Sequence, residues 1–354
     1  GPPGTKVAIK VFREGWADPR TLEIVREQIT VDSVLCQMLP GAVGYLFLSQ
    51  FGESSGAEVH QALLKLESSG MRALIFDLRN NGGGYLATAE KVAELFLEKG
   101  KLVVYSEGRN PALAPRTNYY SSGDNLHPGY PVLLLVNDGT ASASEIVSGA
   151  LQEHKRATIL GERSFGKGTV QQPLPLQSDP TVRLKLTIAR YYLPSGRCIH
   201  REDDEEGKPV PGKEGGILPD IVIAPETLSM GKVESLQKLL EQKVFETYVE
   251  QHYPKHKKLL SELALGDAQD RARYPDFEAW YQGLHTELPA EDARRRLRAQ
   301  IRQAVADERG APFACDLQED IQLQRAFLEA LRALKTDPKT VPETRGFRDK
   351  FPKP

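Results

Sequence analysis

The chain has 354 residues, 40% of them apolar, with 46 basic against 48 acidic side chains and a formal net charge of −2. That content suffices for one large core or two and excludes the disordered class. The near-neutral balance gives no overall field toward nucleic acid or an anionic membrane, so partner choice rests on local sites. Cys36, Cys198 and Cys315 are odd in number and widely spaced, which excludes a fully paired disulfide framework and offers no metal-ligand spacing. No run approaches the roughly 20 apolar residues that cross a bilayer.

Gly1-Pro2-Pro3-Gly4 opens without a methionine and leads at once into a strand-like run over 6–11. The sequence is therefore expected to be a fragment, with any export signal upstream of it. From Gly41 to about Pro225, short apolar runs alternate with amphipathic stretches, the signature of an α/β layer structure. Residues 43–48 read as a strand, 56–69 as a helix with Val59, Leu63, Leu64 and Leu66 at helical spacing, and 73–77 as a buried strand. A Gly-rich turn, a helix over 85–97 and a strand over 102–105 follow. The loop over 107–130, rich in Pro, Gly, Asn and Ser, has the length of a functional segment and is expected to border a substrate cleft. Strands over 132–136 and 157–160 close the series. After Pro225 the composition turns to helix formers and charge, with Val233, Leu236, Leu240 and Val244 on one helical face and Leu297, Ile301 and Val305 on another. This reads as a separate helical region. Its Arg294, Arg295, Arg296 and Arg298 are expected on a solvated face, and residues 335–354, which lack periodicity, as a loose tail.

Three segments carry chemistry. In the first, the strand at 132–136 stops at Asn137-Asp138-Gly139, and Thr140-Ala141-Ser142-Ala143-Ser144-Glu145 leads into an amphipathic helix. Such a junction presents a hydroxyl at a helix N-terminus, where free N–H groups and the positive dipole end stabilise an oxyanion. The plainer alternative is an N-cap. The second segment, Asp77 through Gly84, ends in three glycines whose N–H groups can line a concavity; a phosphate-binding turn and a plain turn compete. In the third, Gly166-Lys167-Gly168 lies beside Phe165 and Val170, a setting in which the lysine stem can be buried and its ammonium desolvated, lowering its pKa so that it takes a proton from serine. Extended chain would put Gln171 on the same face as Lys167. An exposed lysine in a Gly-rich turn is the alternative.

Together these segments resemble the carboxy-terminal processing proteases, or tail-specific proteases, serine peptidases with a Ser-Lys dyad. The likeness covers roughly residues 1–225 and includes Gly44-Tyr45, the stretch Ala189 to Arg197, and Gly216-Ile217-Leu218-Pro219-Asp220. It implies an α/β fold with a crotonase/Clp-protease-like layered β-α core over 41–225. Residues 1–40 would be the closing segment of a PDZ-like domain and a linker, and 226–354 a C-terminal helical extension without an assignable counterpart. The resemblance makes Ser142, first serine of Ser-Ala-Ser-Glu, the nucleophile, Lys167 the general base and Gln171 its support. It gives the oxyanion to the N–H groups of Ala143 and Gly83, with Gly84 as neighbour.

The implied activity is endopeptidase cleavage near protein C-termini by acyl transfer, without cofactor or metal. The implied partners are protein or peptide substrates engaged through their C-terminal tails, with homo-oligomer or adaptor contacts through the helical region and neither nucleic acid nor an integral membrane segment. The implied compartment is extracytoplasmic, such as a bacterial periplasm. Since only the end of a PDZ-like domain is represented, one alternative is a latent fragment. Another is a non-proteolytic relative that binds hydrophobic ligands or peptides, and a third is the related acyl-CoA fold, which uses carboxylates; the Ser142–Lys167 pair counts against both. Ser144 is the nearest rival for nucleophile, and His154 is expected at the surface.

Overall fold

Two units divide the chain between Asp32 and Ser33 in a computed structural model that describes every residue except 14, 29–31, 125, 177, 180, 181, 228 and 352–354. The first, Gly1–Asp32, is an antiparallel pair, β1 (Lys6–Val11) and β2 (Arg20–Val25), with Lys6 opposite Val25 and Val11 opposite Arg20. Ile9, Leu22, Ile24 and Val25 are exposed on it.

The second unit runs from β3 (Val34–Leu39) and β4 (Val43–Leu48) through α1 (Ser55–Ser68), β5 (Ala73–Asp77), α2 (Leu86–Glu94), β6 (Leu102–Glu107), β7 (Thr117–Tyr120), β8 (Val132–Val136), α3 (Ala143–Glu153) and β9 (Thr158–Gly161). It continues with β10 (Thr169–Pro175), β11 (Arg183–Tyr192), β12 (Ile221–Val222), α4 (Met230–Glu241), α5 (Val244–Leu265), α6 (Phe277–Gly283), α7 (Ala290–Arg309) and α8 (Ile321–Ala333). Strands β12-β9-β8-β5-β4-β3 form a six-stranded sheet in that order, parallel except for β3, which pairs antiparallel to β4 with Val34 opposite Leu48. The core sheet therefore begins before residue 41, inside the segment read from sequence as a linker.

The strands read as unbroken apolar runs because both faces of the sheet are covered. Leu46, Leu48, Leu74, Phe76, Leu134, Val136 and Ile159 face the core built with α1, α2 and α3. The alternate residues, Val43, Tyr45, Ile75, Leu133, Leu135 and Leu160, face a second core closed by Leu323, Phe327, Ala330 and Leu331 of α8. Each such side chain, fully buried, contributes on the order of 2 kcal/mol relative to exposure. Helix α8 thus belongs to the sheet, and the helical region expected after 225 is divided. The segment expected as a loose tail buries Val341, Thr344 and Phe347 there too, because α8 leaves apolar surface that they cover; its residues 352–354 lie outside the described residues.

A separate core of Phe245, Tyr248, Leu263, Phe277, Leu297 and Ile301 holds α4 to α7 together. Val244 does not continue the helix of Val233 and Leu240, since Lys243 takes a left-handed φ of +53° between α4 and α5. The arginine cluster also departs from expectation: Arg294 and Arg298 are buried. Arg294 pairs with Asp267, Glu291 and Glu319, while Arg298 pairs with Asp316 and donates to the carbonyls of Leu263, Ala264 and Leu265 at the end of α5. Planar guanidinium groups can satisfy several acceptors at once, which makes this burial tolerable.

Strands β10-β11-β6-β7 form an antiparallel sheet. Strand β7 lies inside the loop expected over 107–130 and sits at the opposite edge from β10, the strand entered from Lys167.

Candidate active site

Strands β5, β8 and β9 are parallel neighbours, so their C-terminal ends open on one side of the sheet. The three segments singled out in the sequence, 77–84, 137–145 and 161–168, leave from those three ends. The crevice outside the carboxyl ends of parallel strands is where α/β sheets bind ligands.

Side chains and backbone stitch the first two segments together. Asn80 N–H donates to Asn137 Oδ1 at 2.8 Å, Asn137 Nδ2 returns a bond to Asn80 Oδ1 at 2.9 Å, and buried Thr140 Oγ1 donates to the Leu78 carbonyl at 2.8 Å. The Asn81 carbonyl accepts Ala141 N–H at 3.0 Å and Ser144 Oγ at 2.9 Å. Ser144 is buried with its hydroxyl committed to that carbonyl.

Ser142 is partly exposed at the N-cap of α3, with φ +58° and ψ −114°. A non-glycine residue at such angles costs on the order of 1–3 kcal/mol and persists only where its surroundings hold it. Glu145 supplies the hold. Its fully buried carboxylate accepts Ser142 N–H (2.8 Å) and Lys167 N–H (2.8 Å) on Oε2, and Gly166 N–H (2.6 Å) and Ser164 Oγ (2.6 Å) on Oε1. Burial raises its pKa, against the pull of these four donors. Sequence reasoning missed this residue's role; its signal was the Ser-x-x-Glu spacing of a capping box.

The glycine turn packs directly on Ser142. Gly83 has φ +98°, and a Cβ there would stand 2.7 Å from Ala141 O, 2.8 Å from Ser142 Cβ and 2.9 Å from Ala143 N. Ala143 N–H, at the start of α3, has no acceptor among the described residues, as the first N–H groups of a helix commonly lack one. Gly83 N–H, expected as the second oxyanion donor, instead donates to Asn81 Oδ1 at 2.9 Å, while Gly84 N–H has no partner among the described residues. Asn81 is buried and anchored by its own Nδ2 to the Leu48 carbonyl at 2.8 Å.

Lys167 departs from the expected burial. Its backbone is gripped by Glu145, but the residue is exposed, because the flanking Gly166 and Gly168 pack against the backbone around His200 and Arg201 and turn the chain there outward. Gln171 is exposed on β10, and no hydrogen bond joins it to Lys167. Lys167 lies before β10 begins at Thr169, and the pairing with β11 shifts register between Val170 and Gln171, leaving Ile188 of β11 without an opposite residue. The fold brings His200 to this turn: Arg201 N–H donates to the Gly166 carbonyl at 2.9 Å, and the buried His200 Nδ1 has no partner among the described residues. Burial, then Arg190, lowers the His200 pKa. No pattern in the sequence pointed to it. His154 is half-buried, its Nε2 2.8 Å from the Leu102 carbonyl, and not the surface residue expected.

The arrangement defines a serine-bearing strand-to-helix turn facing a glycine turn and a lysine turn, in an α/β protein. The family model described as peptidase family S41 matches residues 42–223, and the chain belongs to that family. It is 38% identical over 227 residues to the carboxy-terminal-processing protease of Bartonella bacilliformis, covering 63% of this chain and 48% of that protein. It is 35% identical over 239 residues to the carboxyl-terminal-processing protease of Synechocystis sp., covering 66% and 51%. The chain thus spans about half the length of these curated relatives. Among solved structures, the photosystem II D1 C-terminal processing protease aligns with a TM-score of 0.46 at 30% identity, over 68% of this chain and 61% of that one.

Proposed function

We propose that this chain carries the catalytic part of a serine endopeptidase that cleaves proteins near their C-termini, with Ser142 as nucleophile and Lys167 as general base. The observation that supports this most is the Ser142 turn: a serine held at positive φ at the N-cap of α3, with the Ala143 N–H beside it unpaired among the described residues and the Gly83 backbone packed on both. Ser142 Oγ attacks the peptide carbonyl carbon while its proton passes to the unprotonated Lys167 amine. The carbonyl oxygen, now anionic, is taken by Ala143 N–H and an N–H of the Gly83–Gly84 turn. The C–N bond breaks as Lys167 returns the proton to the leaving amine, leaving an ester on Ser142. Water then attacks that ester, giving its proton to Lys167, which passes it back to Ser142 as the acid departs. Gln171, which is not bonded to Lys167 in this structure, orients the lysine only after the two side chains approach each other. Gly83 N–H exchanges Asn81 Oδ1 for the substrate oxygen when it takes part.

In this reading the layering is crotonase/Clp-protease-like, and residues 1–32 are the closing segment of a PDZ-like domain, with β3 already part of the core sheet. Substrates enter by their C-terminal tails, the helical part of 226–354 offers a surface for a second copy or an adaptor, and neither cofactor nor nucleic acid is required. An extracytoplasmic location, such as a bacterial periplasm, rests on the resemblance alone. Among the described residues no helix is long and apolar enough to cross a membrane.

A second reading, a folded but latent site, is favoured by the exposed Lys167 and by the Gly83 N–H bonded to Asn81. Labelling with a serine-reactive fluorophosphonate, followed by peptide mapping, separates the two. An active site gives an adduct on Ser142, absent in Ser142→Ala and slowed in Lys167→Ala. No adduct on the folded chain supports latency, and an adduct on another serine contradicts the assignment.

A further inference from the structure

Arg79 stands between the end of β5 and the glycine turn, and what holds it comes from the far end of the chain. Its guanidinium donates to Asp77, with Nη2 2.6 Å from Oδ2, and grips Asp320 with two bonds, Nη1 to Oδ1 at 2.9 Å and Nη2 to Oδ2 at 2.6 Å. Nη1 also reaches Gln322 Oε1 at 3.1 Å. The Arg79 side chain is 15% exposed and that of Asp320 25%, so water screens this fork–fork pair far less than a surface pair.

The same first turn of α8 touches the lysine segment. Gln322 Nε2 donates to Glu162 Oε1 at 2.8 Å and to the Ile223 carbonyl at 3.2 Å, and Glu162 directly follows the last residue of β9. On its other side, the stretch before α8 is fastened to α7: Glu319 to Arg294 at 2.7 Å and to Arg295 at 3.1 Å, and Asp316 to Arg298 at 2.5 Å. Residues 316–322 therefore run from the buried arginines of the helical core to the roots of the glycine and lysine turns. All of them lie outside the 42–223 stretch matched by the family model.

We infer that Asp320, assisted by Gln322, is a positioning residue for the catalytic turns, supplied by the C-terminal helical segment and acting through Arg79. It touches no reacting atom. By fixing Arg79 it fixes where Asn80 begins, and hence the register in which Gly83 and Gly84 meet Ser142 and Ala143. The inference rests on the proposed acyl-transfer reading for its effect on rate, but not for its effect on the turn.

The test uses the full chain with Asp320→Ala and Asp320→Ser. Asp320 Oδ1 also accepts Leu323 N–H at 3.0 Å as the α8 N-cap, and serine keeps a capping oxygen while losing the reach to Arg79. Two readouts are taken: kcat and KM on a peptide substrate, and amide hydrogen exchange over 73–84. Asp320→Ser is expected to lower kcat about 10- to 100-fold, the scale of a small misplacement of reacting groups, with KM little changed. Exchange is expected to speed up over 80–84 and stay unchanged in β5 over 73–77. Asp320→Glu, which retains the carboxylate, is expected to recover part of the rate. Should Asp320→Ala fail to fold, Asp320→Ser decides alone. An Asp320→Ser variant with parent kcat and parent exchange over 80–84 overturns the inference. If the parent chain cleaves nothing, the acyl-transfer reading fails first, and the exchange comparison still decides whether Asp320 positions the turn.

Discussion

The Glu145 carboxylate accepts the Ser142 backbone N–H at 2.8 Å, and through its other contacts it binds the turn that carries Lys167. One buried group thereby sets the spacing of two segments that are distant in sequence. Glu145→Gln would place an amide NH₂ against backbone N–H donors that now share a carboxylate oxygen. We expect a loss of about 3 kcal/mol, the scale of a buried charged acceptor removed and a donor left unsatisfied, together with a fall in kcat. Urea unfolding measures the first, and an unchanged midpoint would show that the contacts are not needed. The pH dependence has a definite sign. Burial lifts the folded-state value above the ordinary 4.5, so the folded protein holds the proton more tightly than the unfolded chain. The contribution is then fully present below the unfolded value and is lost as pH rises through the folded one. Comparing unfolding of parent and Glu145→Gln across that window isolates it, and a slope of opposite sign would mean that the four donors outweigh burial.

Gly83→Ala tests the approach of the glycine turn to the nucleophile. The new Cβ would meet Ala141 O, Ser142 Cβ and Ala143 N within 3 Å at a φ of +98°, so either turn must shift. A drop in kcat of about 10²–10³, the effect of losing one oxyanion donor, is expected. Parent-like kcat in the folded variant would remove this turn from the chemistry.

Ser144→Ala discriminates between the two serines. Its buried hydroxyl bonds the Asn81 carbonyl, so a stability loss of about 1 kcal/mol is expected with cleavage largely retained. Abolished cleavage in a stable Ser144→Ala variant would reopen the choice of nucleophile.

Arg294→Ala leaves Asp267 buried without its ionic partner. Breaking such a pair typically costs about 3–5 kcal/mol, which thermal or urea unfolding of the helical part will register. A change near zero would mean that the cluster relaxes into solvent.

Much of the central sheet was legible because burial on both faces writes itself as unbroken apolar runs, and 43–48, 73–77 and 132–136 fall on β4, β5 and β8 as read. Strand β3 escaped notice because its half-buried residues carry no clean alternation, and β10 and β11 because exposed Leu184 and Leu186 blur theirs. The face of α8 was not singled out, and the stripes that were, on α4 and α7, do not say which surface they cover. The arginines of α7 looked solvated because their carboxylate partners are remote in sequence or hidden within the cluster. At the site, the Ser142 and Gly83 turns lie together, as their strand ends require. Lys167 is exposed where its flanking glycines pack around His200 and Arg201, and the register shift beside Gln171 lies in the pairing with β11; local pattern encodes neither.

The central claim is tested most directly by initial rates of cleavage of an unfolded model protein with an apolar C-terminus. Parent chain, Ser142→Ala and Lys167→Ala are compared at matched folding from neutral to alkaline pH. The account predicts that the parent cleaves with a rate that rises toward alkaline pH, and that both variants lose the activity. A Ser142→Ala variant that cleaves at the parent rate would contradict it.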